Sequence, residues 1–184
     1  MQLIQHTESV WTIEEFLTPG ECDELVALSE NIGYDEAEVS FPSGPTMMKG
    51  LRNNYRLLYK DDQLAQRLWE KLQPYVPKEI ENAHATGLNE QFRFYRYENA
   101  QRFKRHIDGR FKRNEQEESR VTFMIYLNNG FEGGETAFDT VTIMPKTGTA
   151  LCFVHELKHE GCPVLSGTKY VLRSDVMYGK YGYS

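Results

Sequence analysis

Gln91-Phe92-Arg93-Phe94-Tyr95-Arg96-Tyr97 is the stretch whose reading decides the fold. It alternates with a period of two, the repeat of a strand whose successive side chains point to opposite faces. The same period returns in Val121 to Leu127 and in Tyr170 to Met177. Turn residues punctuate these runs: Asn128-Asn129-Gly130, Gly133-Gly134, Lys146-Thr147-Gly148 and Ser166-Gly167. Several short strands separated by turns indicate an antiparallel sandwich or barrel.

Upstream the period is helical. Thr18-Pro19-Gly20-Glu21 is a helix start, with Thr18 as N-cap, Pro19 at N1 and Glu21 closing a capping box. The helix then runs from about Pro19 to Asn31, with Cys22, Leu25, Val26 and Ser29 on one face and Gly33 as its stop. Val10 to Leu17 reads as a short strand or extended segment. Residues 34 to 54 read as a long loop or weak strands. Asp61 or Asp62 caps a second helix, built on Leu64, Leu68 and Leu72 with Trp69 beside them and ended by Pro74 and Pro77. The expected fold class is α+β, mainly β, in which N-terminal helices pack on a C-terminal jelly roll. It forms one domain over 1–184, with helical support over about 1–87 and the core over about 88–184. An open α+β sheet would give a similar pattern.

The length of 184 residues suits one domain with a sizeable core. A net charge of −6 argues against a general nucleic-acid binder, since only Arg102 to Arg113 forms a basic run. No apolar run approaches the roughly 20 residues that span a bilayer, so no membrane partner is expected. Met1-Gln2-Leu3-Ile4-Gln5-His6 has neither a basic nor an apolar leader region. Three widely spaced cysteines (Cys22, Cys152, Cys162) suit free thiols in a reducing compartment. The expected location is cytoplasmic. Nothing in the sequence speaks to oligomeric state.

The chemistry sits in Arg105-His106-Ile107-Asp108-Gly109. On a strand, His106 and Asp108 would project to one side, giving two thirds of the two-histidine, one-carboxylate set that holds non-haem Fe(II) with open positions. Taken alone, His-x-Asp is more often two surface residues. A third ligand has two downstream candidates, His155 and His159.

The ordered set around these residues resembles the prolyl 4-hydroxylase type of Fe(II)/2-oxoglutarate-dependent oxygenase. It comprises Phe16-Leu17-Thr18-Pro19-Gly20-Glu21-Cys22, Tyr97, Phe103, His106-x-Asp108, Ile125-Tyr126-Leu127-Asn128, Gly133-Gly134-Glu135-Thr136, His159-x-Gly161-Cys162-Pro163-Val164 and Lys169. The resemblance implies a double-stranded β-helix with the metal site inside its open end. It implies His106, Asp108 and His159 as ligands of Fe(II), with 2-oxoglutarate and O2 completing the cofactor set. Lys169 is implied as the anchor of the 2-oxoglutarate C5 carboxylate, with Tyr126 donating its hydroxyl to the same group and Tyr97 lining the pocket. Arg173, four residues past Lys169 on the same strand face, is grouped with them as a second contact for the co-substrate or for a carboxylate of the substrate, the alternative being an ion pair with Asp175 or a neighbouring carboxylate. Ala100 departs from the family, which often has Gly there. Cys162 reads as a packed residue rather than a ligand.

The expected activity is hydroxylation of a C–H bond with release of succinate and CO2, on prolyl or another residue of a peptide or protein. The alternatives are a hydroxylase of a free amino acid or other small molecule and a non-catalytic metal-binding jelly roll. A hydrolytic zinc site is weaker, because it gives no role to Lys169 and Tyr126. Gly109 to Glu118 and the 40–50 loop are expected at the barrel mouth, the first as a mobile loop.

Overall fold

Thr18 starts the first helix as its neighbours require. Its hydroxyl accepts from the Glu21 amide, and the Glu21 carboxylate accepts from the Thr18 amide, so both open donors of the first turn are satisfied. Helix α1 spans Pro19–Ile32 and ends at Gly33, whose φ of +97° lies where a side chain is disfavoured. Helix α2 spans Asp62–Leu72, with the Asp61 side chain capping the Leu64 amide and Leu64, Ala65, Leu68 and Leu72 buried. A single 3₁₀ turn, Gln73–Tyr75, follows it.

This computed structural model describes residues 1–36, 39–41, 44–46 and 53–180. Among them a large antiparallel sheet runs in the order Gln2–Thr7, Val10–Glu14, Ala150–Val154, Glu117–Tyr126, Lys169–Gly179, Gln91–Tyr97, Tyr55–Lys60 and Asp35–Glu36. Ala83–Leu88 pairs the far half of the Lys169–Gly179 strand. A smaller sheet, Phe103–His106, His159–Gly161, Thr136–Phe138 and Thr142–Ile143, faces it. These are the two layers of a jelly roll, and the expected fold class holds.

Strand parity sorts the core into two. In the central strands Phe92, Phe94, Val121, Phe123, Ile125, Leu172 and Val176 pack with the helices. Their alternates Tyr95, Tyr97, Tyr126 and Val171 pack between the sheets with Phe138, Phe153 and Val164. One side of the large sheet therefore carries its support, and the other walls a pocket.

The first half of the chain is less helical than its pattern reads. Gln2–Thr7, Val10–Glu14, Tyr55–Lys60 and Ala83–Leu88 all enter the large sheet, so no seam falls at residue 87 or 88. Val10–Glu14 adds beside Ala150–Val154, far away in sequence. Gly148 secures that junction: its carbonyl accepts from the Leu17 amide at 3.0 Å, its φ is +77°, and a Cβ there would lie 2.1 Å from the Leu17 oxygen. The 40–50 loop lies largely outside the described residues; of it, Val39–Phe41 and Gly44–Thr46 pair as an antiparallel hairpin. The 109–116 segment is tied down. Arg110 bonds Glu81, Glu118 and Glu156 at 3.1, 2.7 and 2.5 Å, and Arg113 pairs with Glu90 and Glu117. Among the described residues no helix is long and apolar enough to cross a membrane.

Candidate active site

His106 closes the strand Phe103–His106, and its cross-strand partner is His159, the first residue of His159–Gly161. The strand stops at His106, so Asp108 reaches the site through the following backbone rather than by strand alternation, while Ile107 is left 56% exposed. The Asp108 amide donates to the His155 carbonyl at 3.1 Å. One donor atom from each of His106, Asp108 and His159 lies within 4.8 Å of the others, the one such constellation among the described residues.

Hydrogen bonds set the tautomers. His106 Nδ1 lies 2.7 Å from the Lys104 carbonyl, and His159 Nδ1 lies 2.9 Å from the Leu157 carbonyl. A carbonyl only accepts, so both Nδ1 atoms carry a proton, which leaves Nε2 of each ring as the atom that can ligate a metal. Those Nε2 atoms stand 3.5 and 3.7 Å from the Asp108 carboxylate. Burial pushes the His159 pKa down to about 4 against the pull of Asp108, so at neutral pH this ring is in its ligating form. Burial opposes ionisation of Asp108, but Arg173, His106, His159 and Thr122 together hold its pKa well below the usual carboxylate range. Phe103 stacks on His106 with ring centroids 3.5 Å apart, and Phe153 lies tilted against His159. Two imidazoles that present Nε2 and one ionised carboxylate, all converging on one point, fit Fe(II) with positions open to further ligands.

The pocket that holds this set encloses about 410 Å³, its mouth included. At its inner end lies Lys169, cross-strand neighbour of Tyr97 and 2% exposed. Its ammonium donates to the Gly134 carbonyl at 2.5 Å and sits 5.2 and 5.4 Å from the Tyr97 and Tyr126 rings. Among the described residues no carboxylate comes within ion-pair distance of it. Burial therefore pushes its pKa down to about 8. Gly134 makes room for it, since a Cβ there would stand 3.0 Å from Lys169 Cδ. The Tyr126 hydroxyl pairs with Thr136 Oγ1 at 2.7 Å.

Arg173 lines the same pocket as Lys169 but is ion-paired, as the second option of the sequence reading has it. Its guanidinium meets Asp108 Oδ1 at 3.0 Å and Asp175 Oδ1 at 3.3 Å, and Arg93 bonds the other Asp175 oxygen at 3.0 Å. The sequence reading gave no role to Tyr95, Thr122, Met124, Thr136 and Phe153, which also line the pocket. Parity points to three of them, Tyr95 with Tyr97 and Thr122 and Met124 with Tyr126. Thr136 ends the Gly133-Gly134-Glu135-Thr136 run already singled out, and no local signal marks Phe153. His155, the rival for the third ligand, is fully buried behind Asp108 and outside the metal-ligating set.

A jelly roll holding two histidines, one aspartate and a buried lysine in one pocket is the arrangement that the resemblance to 2-oxoglutarate-dependent non-haem iron oxygenases implies. Comparison finds the same likeness: residues 92–174 match the family model of the 2OG-Fe(II) oxygenase superfamily. The cofactor set of that superfamily is Fe(II), 2-oxoglutarate and O2. Prolyl 4-hydroxylase 2 of Arabidopsis thaliana is 24% identical over 198 residues, which cover 85% of this chain and 63% of the plant protein. The chain thus spans less than two thirds of that relative's length. The fold recurs in a viral collagen prolyl hydroxylase from Paramecium bursaria Chlorella virus-1, in its 2-oxoglutarate complex (TM-score 0.66, 23% identity, 92% of this chain and 96% of that one). It recurs too in a Trichoplax adhaerens prolyl hydroxylase bound to a peptide of hypoxia-inducible factor (TM-score 0.74, 18% identity, 95% and 84%).

Proposed function

We propose that this protein is an Fe(II)- and 2-oxoglutarate-dependent dioxygenase that hydroxylates a prolyl or other residue in a peptide or protein, releasing succinate and CO2. The observation that carries the reading is Lys169, a buried cation with no carboxylate partner among the described residues, in the same pocket as three converging metal donors. An ion in that position calls for a bound counter-charge.

His106, Asp108 and His159 would hold the iron, which when bound supplies oxygen activation coupled to decarboxylation of the 2-oxoacid. Lys169 fixes the far carboxylate of the co-substrate, and Tyr126 offers its hydroxyl at the same end. Tyr97 and Phe103 wall the pocket and exclude water. No protein general base is needed, and none is assigned. The peptide reading is supported by the relatives, whose names describe prolyl hydroxylation. A free amino acid would need an available cation for its carboxylate, and Arg173 is already engaged by Asp108 and Asp175. The three free cysteines accord with a cytoplasmic location.

The test is an anaerobic titration of 2-oxoglutarate into the Fe(II)-loaded protein, following the visible metal-to-ligand charge-transfer band. The band is expected with wild type and not with His159→Ala. A protein that holds iron but gives no band would overturn the assignment. Succinate release driven by proline-containing peptides, but not by free amino acids, then tests the substrate class.

A further inference from the structure

Behind Asp108 lies a run of buried polar side chains that the ligand set does not use. Thr122 projects from the pocket side of its strand, and its hydroxyl donates to Asp108 Oδ2 at 2.6 Å. A threonine has one hydroxyl proton, and it is spent there. The 2.8 Å contact between Thr122 Oγ1 and His155 Nδ1 is therefore donated by the ring. With the single proton of a neutral ring placed at Nδ1, Nε2 accepts. The 2.8 Å contact between His155 Nε2 and Ser119 Oγ is donated by the serine. Ser119 Oγ in turn accepts the amide of Phe111 at 2.8 Å.

Each link has one permitted direction. The chain starts at the amide of Phe111, three residues after Asp108, and ends on the Asp108 carboxylate. His155 holds the same residue a second time, because its carbonyl accepts the Asp108 amide at 3.1 Å. His155, Ser119 and Thr122 are at most 1% exposed. A purely apolar filling of this space would cost less than a buried imidazole and two hydroxyls, unless their orientation serves something.

We propose that Thr122 and His155 are positioning residues for the Asp108 carboxylate, fixing its rotation through a one-way hydrogen-bond chain anchored at Ser119 and Phe111. The proposal rests on Asp108 being a metal ligand. Outer partners of this kind typically contribute about 10- to 100-fold in metal affinity.

The experiment is calorimetric titration of Co(II) into the metal-free full chain, with thermal denaturation of each variant in parallel. Thr122→Val is expected to weaken Co(II) binding about 10- to 100-fold. Thr122→Ser, which keeps the hydroxyl, should restore affinity to near wild type. Ser119→Ala, at the far end of the chain, should lower affinity in the same direction by less. A purely structural role would lower the melting temperature of Thr122→Val and leave Co(II) affinity unchanged, and that result overturns the proposal. If Thr122→Val does not fold, unchanged affinity in Ser119→Ala overturns it instead. Asp108→Ala separates the two levels: if it binds Co(II) as tightly as wild type, the metal-ligand reading fails and the proposal fails with it.

Discussion

Replacing Lys169 with Met should make the ligand-free protein more stable and nearly abolish 2-oxoglutarate binding. The opposite signs are the test. Lys169 is 2% exposed, and burial pushes its pKa from an ordinary 10.5 to about 8. In the unfolded chain the group stays charged up to its ordinary value, and in the folded protein only up to about 8. The penalty on folding is therefore full below about 8 and gone above 10.5. At about 1.4 kcal/mol per tenfold step, it amounts to about 3 kcal/mol at neutral pH. Met matches the stem of Lys and keeps contact with the Tyr97 and Tyr126 rings, but loses the hydrogen bond to Gly134. That bond is worth about 1 kcal/mol, which leaves a net gain of about 2 kcal/mol. For a domain of this size the melting temperature should rise by about 4–8 °C. Removing one partner of a buried ion pair costs about 3 kcal/mol or more, so 2-oxoglutarate should bind at least about 100-fold more weakly. Scanning calorimetry of the metal-free protein and a 2-oxoglutarate titration of the Co(II)-loaded protein measure the two effects. A fall in melting temperature would refute the argument from burial. A rise with unchanged 2-oxoglutarate affinity would refute the anchor.

Two further outcomes follow from the same structure. In wild type, 2-oxoglutarate affinity should be level up to about pH 8, where Lys169 starts to lose its proton, and should then weaken by up to about tenfold per pH unit. Titrations across that range should show the bend in wild type and not in Lys169→Met, and a flat wild-type profile would contradict it. Ala100 sits at φ +62°, a left-handed conformation that costs a residue with a Cβ about 1 kcal/mol, so Ala100→Gly should raise the melting temperature by about 2–4 °C; a decrease would show that the Cβ makes contacts worth more than the strain.

What was legible in the sequence follows from period. Alternation in Gln91–Tyr97 and Lys169–Gly179 assigns Tyr97, Lys169 and Arg173 to the pocket face, and the structure puts them there. The capping box around Thr18 and Glu21 is local chemistry and reads directly. Partners across the fold are not encoded in any window. Nothing near Val10 announces that it will lie beside Phe153, and nothing near Arg173 announces Asp108. The 109–116 segment reads as mobile from its charge, yet its arginines meet glutamates contributed by distant elements, Glu81, Glu90 and Glu156. The role of His155 is hidden for the same reason, since its meaning lies in Ser119 and Thr122 on another strand.

Among the described residues, the charges in and behind the pocket fall into two groups. Arg173 and Arg93 face Asp108 and Asp175, and these four sum to neutrality. Lys169 is left over, so the ligand-free pocket carries one positive charge. A divalent metal adds two positive charges close to Arg173, in a setting where water screens poorly. A dicarboxylate bound without metal would meet Lys169 at one end and no metal at the other. When both are present, the dianion cancels the metal's charge and the pocket returns to its ligand-free net charge. Each ligand thus removes the electrostatic cost of the other. Their binding is then coupled, and the factor by which metal strengthens 2-oxoglutarate binding equals the factor by which 2-oxoglutarate strengthens metal binding. The coupling needs no moving part. It follows from a fold that places one unpaired cation and one compensated carboxylate at opposite ends of the same pocket.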